Sequence, residues 1–271
     1  MTLPVILILS FGFIVMGYFI IQYSFLVPVQ KGLPVLMYHK ILDQGPDGLT
    51  VTTAQFDRQL MYLKEKGYQT LTFREVKTLL AEKSSLPRKP VVLTFDDAYV
   101  NFKSHALPLL KKYGFQATLF IPVAFIGKTN LWDQGNDPIL PAADLKQLSN
   151  NEPVTFGIHS FLHKNYRDLA LADMEEDLKN CQETLSFYGI PFTRVLAYPY
   201  GGYPKKELPL KKSMFELFDR FGLDFALRIG NRINPWPIRN RYEMKRIDIR
   251  GTDSFKVFRI KVRKGRAKLF A

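Results

Sequence analysis

Cysteine is almost missing from this chain: Cys181 is the only one in 271 residues. A lone thiol excludes an intramolecular disulfide framework. It falls in a stretch readable as a helix, Ala172 to Tyr188, and so reads as a buried, inert group. Histidine is scarce as well, with four in the whole chain, which makes His159 and His163, four residues apart, stand out. Acidic residues are outnumbered 25 to 38 by basic ones, for a net charge of +13. That balance favours anionic partners such as nucleic acid, acidic membrane surfaces or acidic polymers. No helix-turn-helix pattern, zinc-finger spacing or aromatic RNA-binding motif accompanies the charge, so no nucleic-acid partner is expected. Much of the excess follows Lys205 and ends in Lys261–Lys268, a basic C-terminal tail that is either solvated or rests against lipid head groups or an acidic polymer.

Charge of either sign is absent from Leu3 to Val29, where Ile, Leu, Val, Phe and Tyr dominate. A bilayer core about 30 Å thick needs roughly 20 apolar residues in a helix, so residues 1–30 read as one N-terminal transmembrane anchor. No Ala-x-Ala cleavage pattern follows, which favours an anchor over a removed signal peptide. No Lys or Arg precedes the run, while Lys31 and Lys40 follow it. Taken alone, those charges would keep the bulk of the chain in the cytoplasm, but long domains cross regardless of charge. The membrane face stays open at this point.

Residues 31–271 hold enough apolar and aromatic content for one substantial core. Short apolar runs alternate with helical patterns. Strands are expected at Leu33–Tyr38, Gln69–Thr72, Pro90–Phe95, Ala117–Ile121, Thr155–Ile158, Val195–Tyr198 and Phe225–Leu227. Helices are expected at about Thr53–Lys66, capped by Thr53, then Phe73–Glu82, capped by Thr72. Others follow at Ser104–Tyr113, Ala142–Ser149, Ala172–Tyr188 and Lys211–Phe221. Such alternation argues for an α/β fold with a parallel sheet covered by helices. An irregular (β/α) barrel explains a further fact: Asp96, Asp97, His159 and Pro199-Tyr200 all follow strand ends, where barrels of this class gather their chemistry.

Thr94-Phe95-Asp96-Asp97 and His159-Ser160-Phe161-Leu162-His163 supply both halves of a hydrolytic metal site. One carboxylate can ligate an ion while its neighbour takes a proton from water. Each motif also has a plain reading. Adjacent aspartates after a strand can form a turn or helix cap, and histidines at i, i+4 can share a helix surface. Ser160 stands where a zinc protease of the His-Glu-x-x-His type needs its Glu, so that class is excluded. Pro199-Tyr200-Gly201-Gly202 can be a tight turn, and His39 a core residue. His105 reads as structural. Trp132 and Trp236 can stack on sugars or fill a core.

Together with Tyr198-Pro199-Tyr200-Gly201, these motifs resemble the first three motifs of the polysaccharide deacetylases, the NodB-like carbohydrate esterases. Leu36-Met37-Tyr38-His39 resembles the N-terminal motif of the branch that deacetylates poly-N-acetylglucosamine exopolysaccharide. The similarity runs from about Leu33 to Asp248. It implies a metal triad of Asp97, His159 and His163, with Asp96 as catalytic base and His39 as the acid that protonates the leaving amine. It also implies an oxyanion contact at Pro199-Tyr200, through the Tyr200 backbone N–H. Zinc suits such ligands, and Co, Ni, Mn or Fe also fit. The family's third motif usually carries Arg two residues before its Pro, where this chain has Ala197, and the late family motifs are absent. Arg246 is a candidate to hold Asp96 instead, and Asp248 to orient His39. The implied function is removal of N-acetyl groups from an exopolysaccharide or cell-wall glycan. An O-acetyl esterase and an inactive glycan-binding protein remain as alternatives.

Overall fold

A computed structural model describes residues 10–17, 29–132, 135–150 and 153–267. Seven parallel strands close into a barrel: β1 (Val35–Tyr38), β5 (Pro90–Phe95), β6 (Ala117–Ile121), β7 (Val154–Ile158), β8 (Val195–Ala197), β9 (Phe225–Ile229) and β10 (Met244–Asp248). Closure is made by β1, which pairs with β5 on one edge and β10 on the other. A short β4 (Gln69–Thr70) shares the edge of β5 with β6, pairing at Pro90 and Val91 while β6 pairs at Thr94 and Phe95. Outside the barrel, β2 (Lys40–Leu42) and β3 (Thr50–Thr52) form a small parallel pair.

Strand alternation divides the core in two. Val35, Val92, Phe120, Val195, Leu227 and Met244 fill the barrel interior. Their neighbours Leu36, Leu93, Phe95, Leu119, Ile158 and Leu196 face outward under the helices. Those helices are α1 (Thr53–Glu65), α2 (Phe73–Ala81), α3 (Leu107–Tyr113), α4 (Ala142–Ser149), α5 (Leu171–Phe187), α6 (Leu208–Arg220) and α7 (Phe255–Lys264). Phe73 and Val76 of α2 close the interior at the N-terminal end of the strands. Gly157 is required inside: a Cβ there would lie 2.5 Å from the Phe120 ring. Phe120 in turn lies under the guanidinium of Arg246, 5.5 Å from ring centroid to Cζ.

Several expectations need correction. Thr52, not Thr53, caps α1, through a reciprocal box with Gln55, whereas Thr72 caps α2 as expected. The helix expected from Ser104 begins instead with a wider turn at Phe102–Ala106 before α3, because Pro108 has no N–H to continue the ladder. The basic end is not a free tail as far as Lys264: Phe258 and Val262 of α7 are buried, and Phe258 packs edge-on to Tyr62 of α1. The span expected over Leu3–Val29 lies largely outside the described residues. Among those described, residues 10–17 are helical, and no helix is long and apolar enough to cross a membrane.

Candidate metal-dependent active site

The backbone is bent sharply where the strands end. Asp97 and Ala98 after β5, Ser160 and His163 after β7, and Tyr200 after β8 all have left-handed φ between 51° and 69°. For residues with side chains such conformations cost on the order of 1–3 kcal/mol each and gather at functional sites. His159 and His163 are therefore presented by a loop, not by one helix face. Asp177 of α5 braces that loop from below. Its buried carboxylate accepts from the Phe161 N–H at 2.8 Å and the Tyr166 hydroxyl at 2.7 Å.

The ligand atoms of Asp97, His159 and His163 converge within 4.8 Å of one another, all buried. Asp97 Oδ1 lies 3.3 Å from His163 Nε2 and 3.6 Å from His159 Nε2, without a well-directed hydrogen bond. His159 Nδ1 is 2.7 Å from the Ala197 carbonyl, which can only accept, so Nδ1 carries the proton and Nε2 turns a lone pair into the cluster. Burial pushes the His159 pKa down to about 4, leaving it neutral near pH 7. Burial pushes the Asp97 carboxyl up, but His163, His159 and His39 outweigh it and hold it well below the usual range. An anionic oxygen, a neutral imidazole fixed in tautomer by a backbone carbonyl and a second imidazole nitrogen beside it fit a divalent cation. The His163 ring is also held on its faces, stacked on Trp132 at 4.2 Å and edge-on to Tyr200 at 4.9 Å. A Lys40–Asp137 ion pair at 2.9 Å ties down the β6–α4 connection that carries Trp132.

Asp96 sits beside the cluster in a buried bidentate pair with Arg246, at 2.5 and 2.8 Å. The guanidinium that Ala197 cannot provide is thus supplied from β10. Burial opposes ionisation of Asp96, but Arg246, His159 and His39 lower its pKa on balance. Asp96 Oδ2 is 3.7 Å from His159 Nε2 and 3.8 Å from His39 Nε2, so one oxygen faces both the cluster and the histidine that follows β1. All of these side chains line one cavity of about 480 Å³, together with Tyr200.

Two expectations change here. Asp248 reaches the same cavity, but its carboxylate accepts from Arg250 Nε at 2.6 Å, and His39 Nδ1 has no hydrogen-bond partner. Asp248 therefore does not orient His39. Trp236 is not at this rim: its indole N–H donates to the Ser84 carbonyl, and its ring packs on the interior core. Pro199 is buried behind Tyr200. Cys181 is buried, as expected. The residue missed in the sequence is Asp177, whose signal is an acid within the apolar stripe Met174, Leu178, Cys181 and Leu185.

The chain is 29% identical over 176 residues to YxkH of Bacillus subtilis, which is 65% of this chain and 59% of that protein. It is 27% identical over 171 residues to a Staphylococcus aureus poly-beta-1,6-N-acetyl-D-glucosamine N-deacetylase, 60% of this chain and 58% of that protein. The chain thus spans less than two thirds of the length of either relative. IcaB from Ammonifex degensii shares the fold, with TM-score 0.72 and 22% identity over 88% of this chain and 98% of the other. Residues 83–214, from the approach to β5 through both halves of the candidate metal cluster and into α6, match the polysaccharide deacetylase family model and make up a polysaccharide deacetylase domain.

Proposed function

We propose that the chain is a metal-dependent hydrolase that removes N-acetyl groups from N-acetylhexosamine units of an exopolysaccharide or cell-wall glycan. The observation that carries this reading is the convergence of Asp97, His159 and His163 within 4.8 Å, with Asp96 Oδ2 beside them. A divalent ion held by Asp97, His159 and His163, with zinc the proposed metal, would supply Lewis acidity toward water and the acetamide carbonyl. Asp96, kept ionised and aimed by Arg246, takes the proton from the attacking water. The backbone N–H of Tyr200, in its left-handed turn, donates to the carbonyl oxygen as negative charge develops there. The C–N bond then breaks, and His39, 3.8 Å from Asp96, delivers a proton to the leaving nitrogen. Water and the acetamide give acetate and a free amine. Trp132 and Tyr200 form walls against which a sugar ring can lie. The uncharged run Leu3–Val29 anchors the protein in the membrane, with the barrel on the outer side where such polymers emerge.

Acetate release from poly-N-acetylglucosamine oligomers, measured on the metal-stripped full chain before and after adding Zn, Co or Ni, tests the reading. Release that needs the metal and disappears in Asp96→Asn is expected. No release under any metal, with oligomer binding intact, would leave a glycan-binding protein instead.

A further inference from the structure

The end of the barrel opposite the candidate site carries a second cleft, of about 550 Å³. It lies between the residues leading into β1, those leading into β5, and the end of α7. Lys31, Arg88, Lys89 and Arg263 line it, and no acidic residue does. None of the four forms an ion pair among the described residues. Lys89 is held in place by donating to the Lys66 carbonyl and lying 5.9 Å from the Tyr68 ring centroid. Nearby, burial and Arg266 lower the Arg232 pKa, as expected where like charges crowd together. The remaining walls are largely apolar and include Trp236 and Val262.

A ring of uncompensated cations around apolar walls matches an amphiphile with an anionic head. The chain enters this cleft at Val29, Gln30 and Lys31, directly after the uncharged run Leu3–Val29. A run of that length can cross a bilayer, which would put the cleft at head-group level. This position favours lipid over a soluble polyanion. We propose that this face docks on the anionic surface of a lipid bilayer, with phospholipid phosphates seated among Lys31, Arg88, Lys89 and Arg263. The candidate catalytic cavity then points away from the membrane. The inference is independent of the deacetylase reading.

The chain has two tryptophans, one at each end of the barrel, so each can report alone. The full chain is reconstituted in vesicles of brominated phosphatidylcholine, with or without phosphatidylglycerol. Trp132→Phe leaves Trp236 as the reporter, and Trp236→Phe leaves Trp132. Stronger quenching of Trp236 in the anionic vesicles, reversed by salt, is expected, with Trp132 unquenched. One basic side chain at an anionic surface is worth about fivefold, so neutralising Arg88, Lys89 and Arg263 to Gln should weaken docking about a hundredfold. Quenching that ignores lipid charge, survives the triple substitution, or is equal at Trp132 would overturn the proposal. So would a larger change in Trp236 emission with inorganic phosphate or poly(glycerol phosphate) than with vesicles, which would assign the cleft to a soluble anion. Acetate release assayed on the same vesicles separates the two readings, because docking without release sinks only the deacetylase.

Discussion

Replacing Arg246 with methionine takes from Asp96 the guanidinium that binds both its oxygens. Both side chains are almost completely buried, with 1% and 3% exposure. Removing one partner of a buried pair costs about 3–5 kcal/mol, because the other charge is stranded. The pH dependence distinguishes that mechanism from lost packing on Phe120. In the native protein the Asp96 pKa is lowered, since Arg246, His159 and His39 outweigh burial. Its stabilising contribution is present above the unfolded value of about 3.9 and is lost as pH falls through the lower folded value. Without Arg246, burial has far less opposing it and the sign is expected to reverse. A folded pKa raised above the unfolded one gives stability that is present in acid and lost as pH rises. The deficit of Arg246→Met should therefore be largest near about pH 8 and shrink toward about pH 5. Urea denaturation of metal-stripped protein at both pH values measures it. The same substitution in an Asp96→Asn background should cost much less, giving a coupling energy of several kcal/mol. A deficit equal at both pH values and equal in both backgrounds would refute the reasoning.

His39 is outside the candidate metal cluster, so His39→Gln should lower kcat for acetate release by about 10²–10⁴ and leave zinc affinity by calorimetry unchanged. Loss of zinc binding would show that it serves the cluster instead. Asp177→Asn leaves one carbonyl oxygen where two carboxylate oxygens bind the Phe161 N–H and the Tyr166 hydroxyl. It should weaken zinc binding by about 10–100-fold and cost about 1–3 kcal/mol of stability. A destabilised protein with native zinc affinity would show that Asp177 does not set the loop.

Barrel strands that are buried on both faces were readable because their residues are mostly apolar, as in Pro90–Phe95. The tenth strand was not, because Lys245, Arg246 and Asp248 break the apolar run. Its charges are tolerable inside only because Asp96 answers Arg246 from 150 residues away. The terminal helix failed for a related reason: five basic residues between Lys256 and Lys264 hid an apolar stripe whose partner, Tyr62, lies on α1. Asp177 looked like an ordinary helical acid because its two donors come from a loop and from a short turn.

The chain by itself determined which groups could do chemistry. Paired aspartates, histidines four apart and a Pro-Tyr-Gly turn, each after an apolar run, supply candidate ligands, a candidate base and a turn by residue type and order. Position relative to one another was decided only by closing the barrel. That step brings β10 against both β1 and β9, inserts Arg246 above Phe120, and gives Asp96 the partner that Ala197 lacks. It also parts Asp248 from His39 by pairing it with Arg250. Local sequence sets what a residue can donate or accept, whereas burial and long-range pairing set which of those possibilities is realised.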